Sequence, residues 1–178
     1  MPAELKRCVY AASFDPITTG HLWVIQQGEQ LFDELIVAVG TNPDKHYSFS
    51  TSERERLVRE SLIGHGNITV ATYQNRFLVE YARSAGARYI LRGLRSEIDY
   101  QYERSMKHIN SDLDSSIQTL FLMPPREIAE VSSSVVKGLV GLSGWETVVG
   151  NYVPQAVLHA LITRETRPAL AKDASPDS

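Results

Sequence analysis

Short apolar runs alternate with amphipathic segments along most of this chain, and this alternation limits its fold more than any other feature. The run ELIVAVG is continuously apolar, as expected of a strand that is buried on both faces of a sheet. Strand-like runs lie at 5–12, 34–40, 67–73, 87–93 and 117–123. Helix-like segments lie at 20–32, 48–64, 75–86, 97–113, from near Ser132–Ser134 onward and at 153–164. This spacing predicts right-handed βαβ crossovers, and therefore an α/β fold with a doubly wound, five-stranded parallel sheet.

Length, charge and cysteine content narrow the classes of protein to which the chain can belong. Its 178 residues predict a single domain over 1–164, followed by a tail at 165–178 whose composition is typical of disorder. The 18 basic and 21 acidic residues give a net charge of −3, which offers no basic field for nucleic acid. No apolar run is long enough to cross a membrane, and the lone Cys8 cannot form an internal disulfide. We therefore expect a cytoplasmic protein that binds neither nucleic acid nor membrane.

Polar clusters follow four of the five predicted strands. They lie at Ser13–His21, Thr41–Lys45, Gly93–Ser96 and Pro124–Ser134. The carboxyl ends of parallel strands meet at one edge of a sheet, and ligands bind there, near the point where the strand order reverses. We therefore expect these four clusters to share one cleft.

The first cluster, SFDPITTGH, has two interpretations. A helix that begins near His21 directs free N–H groups and the positive end of its dipole at the cleft, which suits a phosphate. His21 could then hydrogen-bond an oxygen whose charge grows in a transition state, and Ser13 or Thr18 could add a hydroxyl. The simpler interpretation is a turn at Asp15-Pro16, a threonine N-cap and a solvated histidine.

Two further clusters also suit a phosphate. Arg92 and Arg95 flank Gly93, which lets a backbone approach a ligand closely, and arginine forks recognise phosphate oxygens. Surface ion pairs are the alternative for these arginines. Three successive serines at Ser132–Ser134 precede a helix, whereas an ordinary N-cap needs only one of them.

Single residues and absent motifs are weaker evidence about the function of the chain. Lys45 could be a solvated loop lysine, and Glu103 could simply pair with Lys107 one helical turn away. The histidines and the cysteine lack the spacing of metal ligands, so we expect no metal held by the protein itself. The chain has no P-loop, no G-x-G-x-x-G turn after the first strand and no G-x-S-x-G elbow.

Taken together, these motifs resemble a known family. SFDPITTGH resembles the T-F-D-P-x-T-x-G-H signature of bacterial phosphopantetheine adenylyltransferases, members of the HxGH-type nucleotidyltransferase superfamily. The likeness continues through LFDELIVAVGTNPDK, ILRGLRSEIDYQYE, TLFLMP and SSSVVK, in unbroken order over roughly residues 6–160. The R-G-L-R element with the following D-Y-Q-Y-E is particular to this enzyme within the superfamily.

The resemblance implies a Rossmann-like nucleotidyltransferase fold and a specific reaction. Such enzymes transfer the adenylyl group of ATP to 4′-phosphopantetheine in coenzyme A biosynthesis, giving dephospho-coenzyme A and pyrophosphate. The acceptor phosphate attacks in line without a covalent intermediate, and Mg²⁺ accompanies ATP. The resemblance also implies a homo-oligomer, typically a homohexamer.

Matching positions imply roles for individual residues. The catalytic residues would be His21, Lys45 and Arg92. The acceptor would be bound by Ser13, Lys45, Phe77, Leu78 and Arg92. ATP would be bound by Ser13, Phe14, His21, Gly93, Leu94, Arg95, Glu103, Ile128, Ala129, Glu130, Val131, Ser132, Ser133 and Ser134.

The chain departs from the usual family pattern at several of these positions. Ala11-Ala12 replaces Pro-Gly, Ser13 replaces threonine, and His46-Tyr47 stands where Lys-Pro is frequent. Ile128-Ala129-Glu130 replaces an aromatic-Ser-aromatic segment. Two alternatives therefore stay open at this point. One is a divergent nucleotidyltransferase with another phosphorylated acceptor, and the other is a nucleotide-binding regulatory protein without turnover, which Glu130 favours.

Overall fold

A computed structural model describes residues 5–42 and 44–166. Its five strands form one parallel sheet in the order β3-β2-β1-β4-β5. The strands are β1 Arg7–Ala12, β2 Glu34–Thr41, β3 Ile68–Gln74, β4 Tyr89–Gly93 and β5 Gln118–Leu122. The helices are α1 Thr19–Leu31, α2 Thr51–Ser61, α3 Leu78–Ser84, α4 Glu97–Leu113, α5 Arg126–Ala129, α6 Ser133–Leu139, α7 Trp145–Val149 and α8 Gln155–Thr166.

The central strand β1 is where the strand order reverses. It pairs with β2 on one side and with β4 on the other, so that Ala12 lies beside Val39 and Tyr10 beside Leu91. The chain adds β2 and β3 outward in one direction, then crosses back over the sheet to add β4 and β5. The crevice at the carboxyl ends of β1 and β4 is therefore the place where such a sheet holds a ligand.

Both faces of the sheet are covered by helices, which confirms the doubly wound arrangement. Successive residues of β1 point to opposite faces, so Cys8 and Tyr10 join one buried cluster while Val9 and Ala11 join the other. The first cluster packs against α1, α2 and α8, and the second against α3. The continuous apolar character of the central strands follows from burial on both sides.

Most element boundaries follow local chemistry that the sequence shows. Ser50 caps α2 in a reciprocal box with Glu53, so this helix begins at Thr51 rather than at residue 48. Asn75 has a left-handed backbone, with φ 57°, and α3 begins only at Leu78. The short helices α5 and α7 were not predicted, because four or five residues show no measurable periodicity.

The C-terminal boundary differs slightly from the prediction. Helix α8 continues to Thr166, so residues 165 and 166 are helical and do not belong to a disordered tail. Residues 167–178 lie outside the described part of the chain, and disorder there stays a prediction. Within the described residues, no helix is long and apolar enough to span a bilayer.

Candidate active site

A cleft of about 520 Å³ opens at the carboxyl ends of β1 and β4. Segments that follow β1, β2, β4 and β5 line it, so the four polar clusters meet as expected. The predicted site residues that line the cleft are Ser13, Phe14, His21, Lys45, Arg92, Gly93, Arg95, Glu103, Val131, Ser132, Ser133 and Ser134. His21 and Arg92 therefore face one shared cavity.

Six predicted site residues lie outside this cleft, namely Phe77, Leu78, Leu94, Ile128, Ala129 and Glu130. Leu94 is buried in the protein, and its backbone N–H donates to the carbonyl of Leu122. Phe77 is the N-cap of α3 and is 53% exposed, and Leu78 packs against the buried cluster that contains Val9 and Ala11 of β1. The other three form the end of α5 and its C-cap. Direct ligand contacts by these six residues stay predictions.

His21 is fixed by the cap of α1. Thr18 is the N-cap, and its hydroxyl accepts from the His21 backbone N–H at 3.4 Å. The imidazole Nδ1 accepts in return from the Thr18 backbone N–H at 3.1 Å. This is a capping box with histidine in the position that Glu or Gln usually occupies. The threonine N-cap of the simpler interpretation is thus present, and it orients the histidine into the cleft.

The capping box also sets the protonation of His21. Because Nδ1 accepts a backbone N–H, the proton of the neutral ring lies on Nε2, which is then a donor. Burial, followed by the charges of Arg95 and Arg92, lowers the pKa of His21 to about 4. The ring is therefore a neutral donor at physiological pH, suited to an oxygen that gains negative charge.

Phe14 packs against the imidazole ring of His21 and helps to hold it in place. It is almost completely buried and meets His21 edge-on, with the ring centroids 5.1 Å apart. It also packs edge-on against Tyr10, at 5.7 Å. Its φ of 49° is unusual for a residue with a bulky side chain. The backbone thus takes an uncommon conformation at the point where β1 passes into the cleft.

Arg92 bridges three parts of the site. Its Nε donates to Glu103 at 2.8 Å, and its second terminal nitrogen pairs with the other oxygen of the same carboxylate. Its remaining terminal nitrogen donates to the carbonyl of Ala11 at 2.5 Å. Glu103 therefore pairs with Arg92, which sequence spacing did not suggest, rather than with Lys107. Ala11 and Ala12, the alanines in place of Pro-Gly, are the last two residues of β1 and pair with Ala38 and Val39 of β2.

Arg95 and Asp99 form a second pair at the rim. The Arg95 guanidinium donates from Nε to Asp99 Oδ2 at 2.9 Å, and the Arg95 backbone N–H reaches the same oxygen at 3.1 Å. The surface-pair alternative therefore describes Arg95 well. Arg95 is nevertheless 42% exposed and lines the cleft, so its guanidinium has room to bind a ligand.

Asp15 organises the cleft in a way the sequence did not reveal. Its buried carboxylate accepts the backbone N–H groups of Ser48 and Phe49, each at 2.9 Å. It also pairs with Lys137 Nζ of α6 at 3.0 Å. The carboxylate thus joins the segments that follow β1 and β2 to the serine helix. An Asp-Pro pair in a sequence signals a turn, but nothing in it signals these distant partners.

The three serines have different roles. Ser132 caps α6 by accepting the Val135 N–H at 3.1 Å, and Ser133 donates to the carbonyl of Pro16 at 2.8 Å. Ser134 is exposed at the cleft. Two of the hydroxyls therefore stabilise the turn itself.

Gly20 of α1 permits the Ser132–Ser134 turn to lie close to this helix. A Cβ on Gly20 would lie only 3.3 Å from the carbonyl oxygen of Val131, which precedes the turn.

Lys45 lies on the segment that follows β2. It is exposed at the cleft and, within 5–42 and 44–166, enters no ion pair. Tyr47, which stands where the family often has proline, accepts the Asn42 backbone N–H through its hydroxyl at 2.8 Å. His46 also lines the cleft. This arrangement leaves the Lys45 ammonium available for an anion.

We expect His21 to titrate far below an ordinary histidine. NMR of uniformly ¹⁵N-labelled protein should show a midpoint near 4 and a neutral ring with the proton on Nε2 above pH 5.5. The reference is the pKa of an unperturbed histidine, about 6.5. A midpoint between 6 and 7 for His21, or a proton on Nδ1, would contradict the geometry of the capping box.

Comparisons with known proteins agree with this site. Residues 9–139 match the Cytidylyltransferase-like family. A phosphopantetheine adenylyltransferase of Chromobacterium violaceum is 57% identical over 89% of this chain and 97% of its own length. One of Shouchella clausii is 41% identical over 88% and 96%.

Solved structures agree at the level of the fold. The nicotinic acid mononucleotide adenylyltransferase of Plasmodium falciparum, complexed with NaAD, superposes with a TM-score of 0.68. It is 14% identical and covers 92% of this chain and 97% of its own. With identity of this extent to the curated relatives, the chain belongs to the phosphopantetheine adenylyltransferase family, within the Cytidylyltransferase-like proteins.

Proposed function

We infer that this protein transfers the adenylyl group of ATP to the phosphate of 4′-phosphopantetheine, giving dephospho-coenzyme A and pyrophosphate. The observation that carries this inference is that His21, whose Nδ1 accepts a backbone N–H so that Nε2 is left as the donor, shares one cleft with Lys45 and Arg92. The identity of 41–57% with relatives that carry this activity in their names supports the choice of acceptor.

The reaction is a direct displacement at phosphorus. An oxygen of the acceptor phosphate attacks the α-phosphorus of ATP, a new P–O bond forms, and the bond to the β-phosphate breaks so that pyrophosphate leaves. The nucleophile is already an anion, so no strong base is needed. Negative charge accumulates around the α-phosphate, and the Nε2–H of His21 stabilises it by donating a hydrogen bond.

The cations bring the two polyanions together. Lys45 is available to bridge the acceptor phosphate and the α-phosphate, because its ammonium has no ion-pair partner in the described chain. Arg92 holds the acceptor phosphate with the N–H groups that Glu103 and Ala11 do not use. Arg95 and the Ser132–Ser134 turn receive ATP. Positioning of this kind contributes much of the rate in phosphoryl transfer.

Mg²⁺ would arrive with ATP rather than be held by the cleft. Three acids line the cleft, and each is paired with a cation: Asp15 with Lys137, Asp99 with Arg95 and Glu103 with Arg92. The triphosphate itself supplies the oxygen ligands that Mg²⁺ prefers. When bound, the ion would neutralise charge on the β- and γ-phosphates.

The alternatives are less well supported. Glu130, the residue that favoured a regulatory protein, is exposed and lies outside the cleft. The deciding assay supplies ATP, Mg²⁺ and 4′-phosphopantetheine and measures pyrophosphate. Release with glycerol 3-phosphate or nicotinamide mononucleotide instead would favour a divergent paralogue. ATP binding without turnover on any of these acceptors would favour the regulatory alternative.

Two further properties are part of the proposal. A cytoplasmic location is consistent with a single, buried free thiol at Cys8. A homohexamer is what the family resemblance implies, and an apolar stripe on α4 that is exposed in the single chain offers a surface for contact between chains. The stripe consists of Ile98, Tyr102, Ile109 and Leu113, whose spacing puts them on one helical face.

Replacing His21 by alanine should lower kcat by about 10²-fold or more, because it removes a donor to the transition state. Steady-state pyrophosphate release, with thermal melting to confirm folding, measures this effect. The matched control is His159→Ala, an exposed histidine on α8. Near-normal turnover by His21→Ala would show that the assigned role is wrong.

Replacing Arg92 by alanine should chiefly raise the KM for the acceptor, by about 10-fold or more, because a charge-assisted bond to phosphate is lost. The acceptor is titrated at saturating ATP. Arg83→Ala, on α3 and paired with Asp114 at the surface, is the control. An unchanged acceptor KM would reduce Arg92 to a structural partner of Glu103.

Light scattering of the purified protein should give the mass of six chains. The double variant Ile109→Glu/Leu113→Glu puts two charges on the exposed stripe of α4 and should yield a smaller species, because charges are costly in an apolar interface. Ile63→Glu, at an exposed apolar residue after α2, is the control and should keep the full mass. A monomeric parent protein, or an unaltered double variant, would contradict the proposed interface.

A further inference from the structure

Arg54 is a fully buried arginine that the proposed reaction does not use. It belongs to α2, has no accessible surface and lies outside the cleft. Two other arginines of the same helix, Arg56 and Arg59, are exposed and pair with glutamates one turn away. Long charged side chains are almost never completely buried unless they are paired, so the position of Arg54 needs an explanation.

The charge of Arg54 has no carboxylate bonded to it. Its hydrogen-bond acceptors are two backbone carbonyls and two threonine hydroxyls, and its Nε has no acceptor among the described residues. The nearby acid Asp15 is bonded to Lys137 and to two backbone N–H groups instead. Burial lowers the pKa of Arg54, but an arginine stays charged in proteins. A buried charge without a bonded counter-ion is costly, so it is retained for some other benefit.

The contacts of Arg54 converge on the two segments that carry cleft residues. One terminal nitrogen donates both to the carbonyl of Ser13, at 2.6 Å, and to that of Gly40, at 2.9 Å. The other donates to the hydroxyls of Thr41 and Thr51, at 3.1 and 3.2 Å. A single guanidinium thus joins the end of β2 to the first residue after β1.

The same guanidinium also supports the segment that carries Lys45. It lies over the ring of Tyr47, 4.1 Å from the ring centroid. Tyr47 in turn accepts the Asn42 backbone N–H, and Lys45 lies between these two residues in the chain. Arg54 therefore bonds the backbone of Ser13 directly. It also contacts Tyr47, which holds the segment that carries Lys45.

We propose that Arg54 is a positioning residue, which holds the Ser13 and Lys45 segments at the separation that adenylyl transfer needs. The role rests on the proposed function, because its benefit is the alignment of two phosphates. Only a planar fork can bond two carbonyls and two hydroxyls and also stack on a ring. The unpaired charge adds a positive potential beneath a cleft for polyanions.

Arg54→Lys tests this role, because it keeps the charge and removes the fork. The kcat should fall by about 10-fold or more while the KM for ATP stays within about threefold, since misalignment acts on the transition state. Arg56→Lys on the same helix is the matched control and should behave as the unchanged protein. A separate readout is amide NMR, in which Arg54→Lys should shift Ser13 and residues 44–49 and the control should shift neither.

The outcomes separate the two proposals. If the unchanged protein shows no turnover with 4′-phosphopantetheine, the proposed function fails, and the NMR comparison still decides whether Arg54 joins the two segments. If Arg54→Lys has the kcat of the parent protein, or shifts neither segment, the role of Arg54 is overturned. If Arg54→Lys does not fold, Thr41→Val removes one acceptor at nearly constant shape and undergoes both measurements. An unchanged kcat in that variant overturns the proposal as well.

Discussion

The cleft depends on the carboxylate of Asp15. A buried carboxylate must be paired and hydrogen-bonded to be tolerated, and Asp15 meets this requirement with two backbone N–H groups and one ammonium. These three partners come from the segment after β2 and from α6. The hydrogen bonds and the ion pair of this one carboxylate therefore hold the segments that line the cleft close together. Arg54 adds a second restraint, because its guanidinium donates to the carbonyl of Ser13 after β1 and to that of Gly40 near the end of β2.

The capping box of α1 explains why a histidine suits this position. A glutamate at the third helical position would also satisfy the Thr18 N–H, but it would place a negative charge against a phosphate. Histidine satisfies the same N–H through Nδ1 and keeps a proton on Nε2. Half-buried beside Arg92 and Arg95, it stays neutral. One side chain thus caps the N-terminus of α1 and leaves a hydrogen-bond donor at the cleft.

The sequence predicted the sheet well because its information is local. Continuous apolar runs mark strands buried on both faces, and parallel strands bring their carboxyl ends together, so the location of the site followed. Tertiary partners were not predictable in this way. Arg92 and Glu103 were each identified, but nothing in their spacing of eleven residues indicated a pair. Asp15 and Arg54 were missed as organising residues, because a turn and a helical arginine look ordinary without their distant acceptors.

The paired acids at the rim have a consequence for the choice of ligand. Arg92 and Arg95 are already neutralised by Glu103 and Asp99, which are tethered at high effective concentration. An incoming anion therefore meets arginines whose charge is already balanced, and a small, weakly charged anion gains little from them. A ligand with several phosphates, or with a long organic arm beside one phosphate, gains more because it makes several contacts at once. The two paired arginines thus give little attraction to a single, weakly charged anion and favour ligands that carry several negative charges.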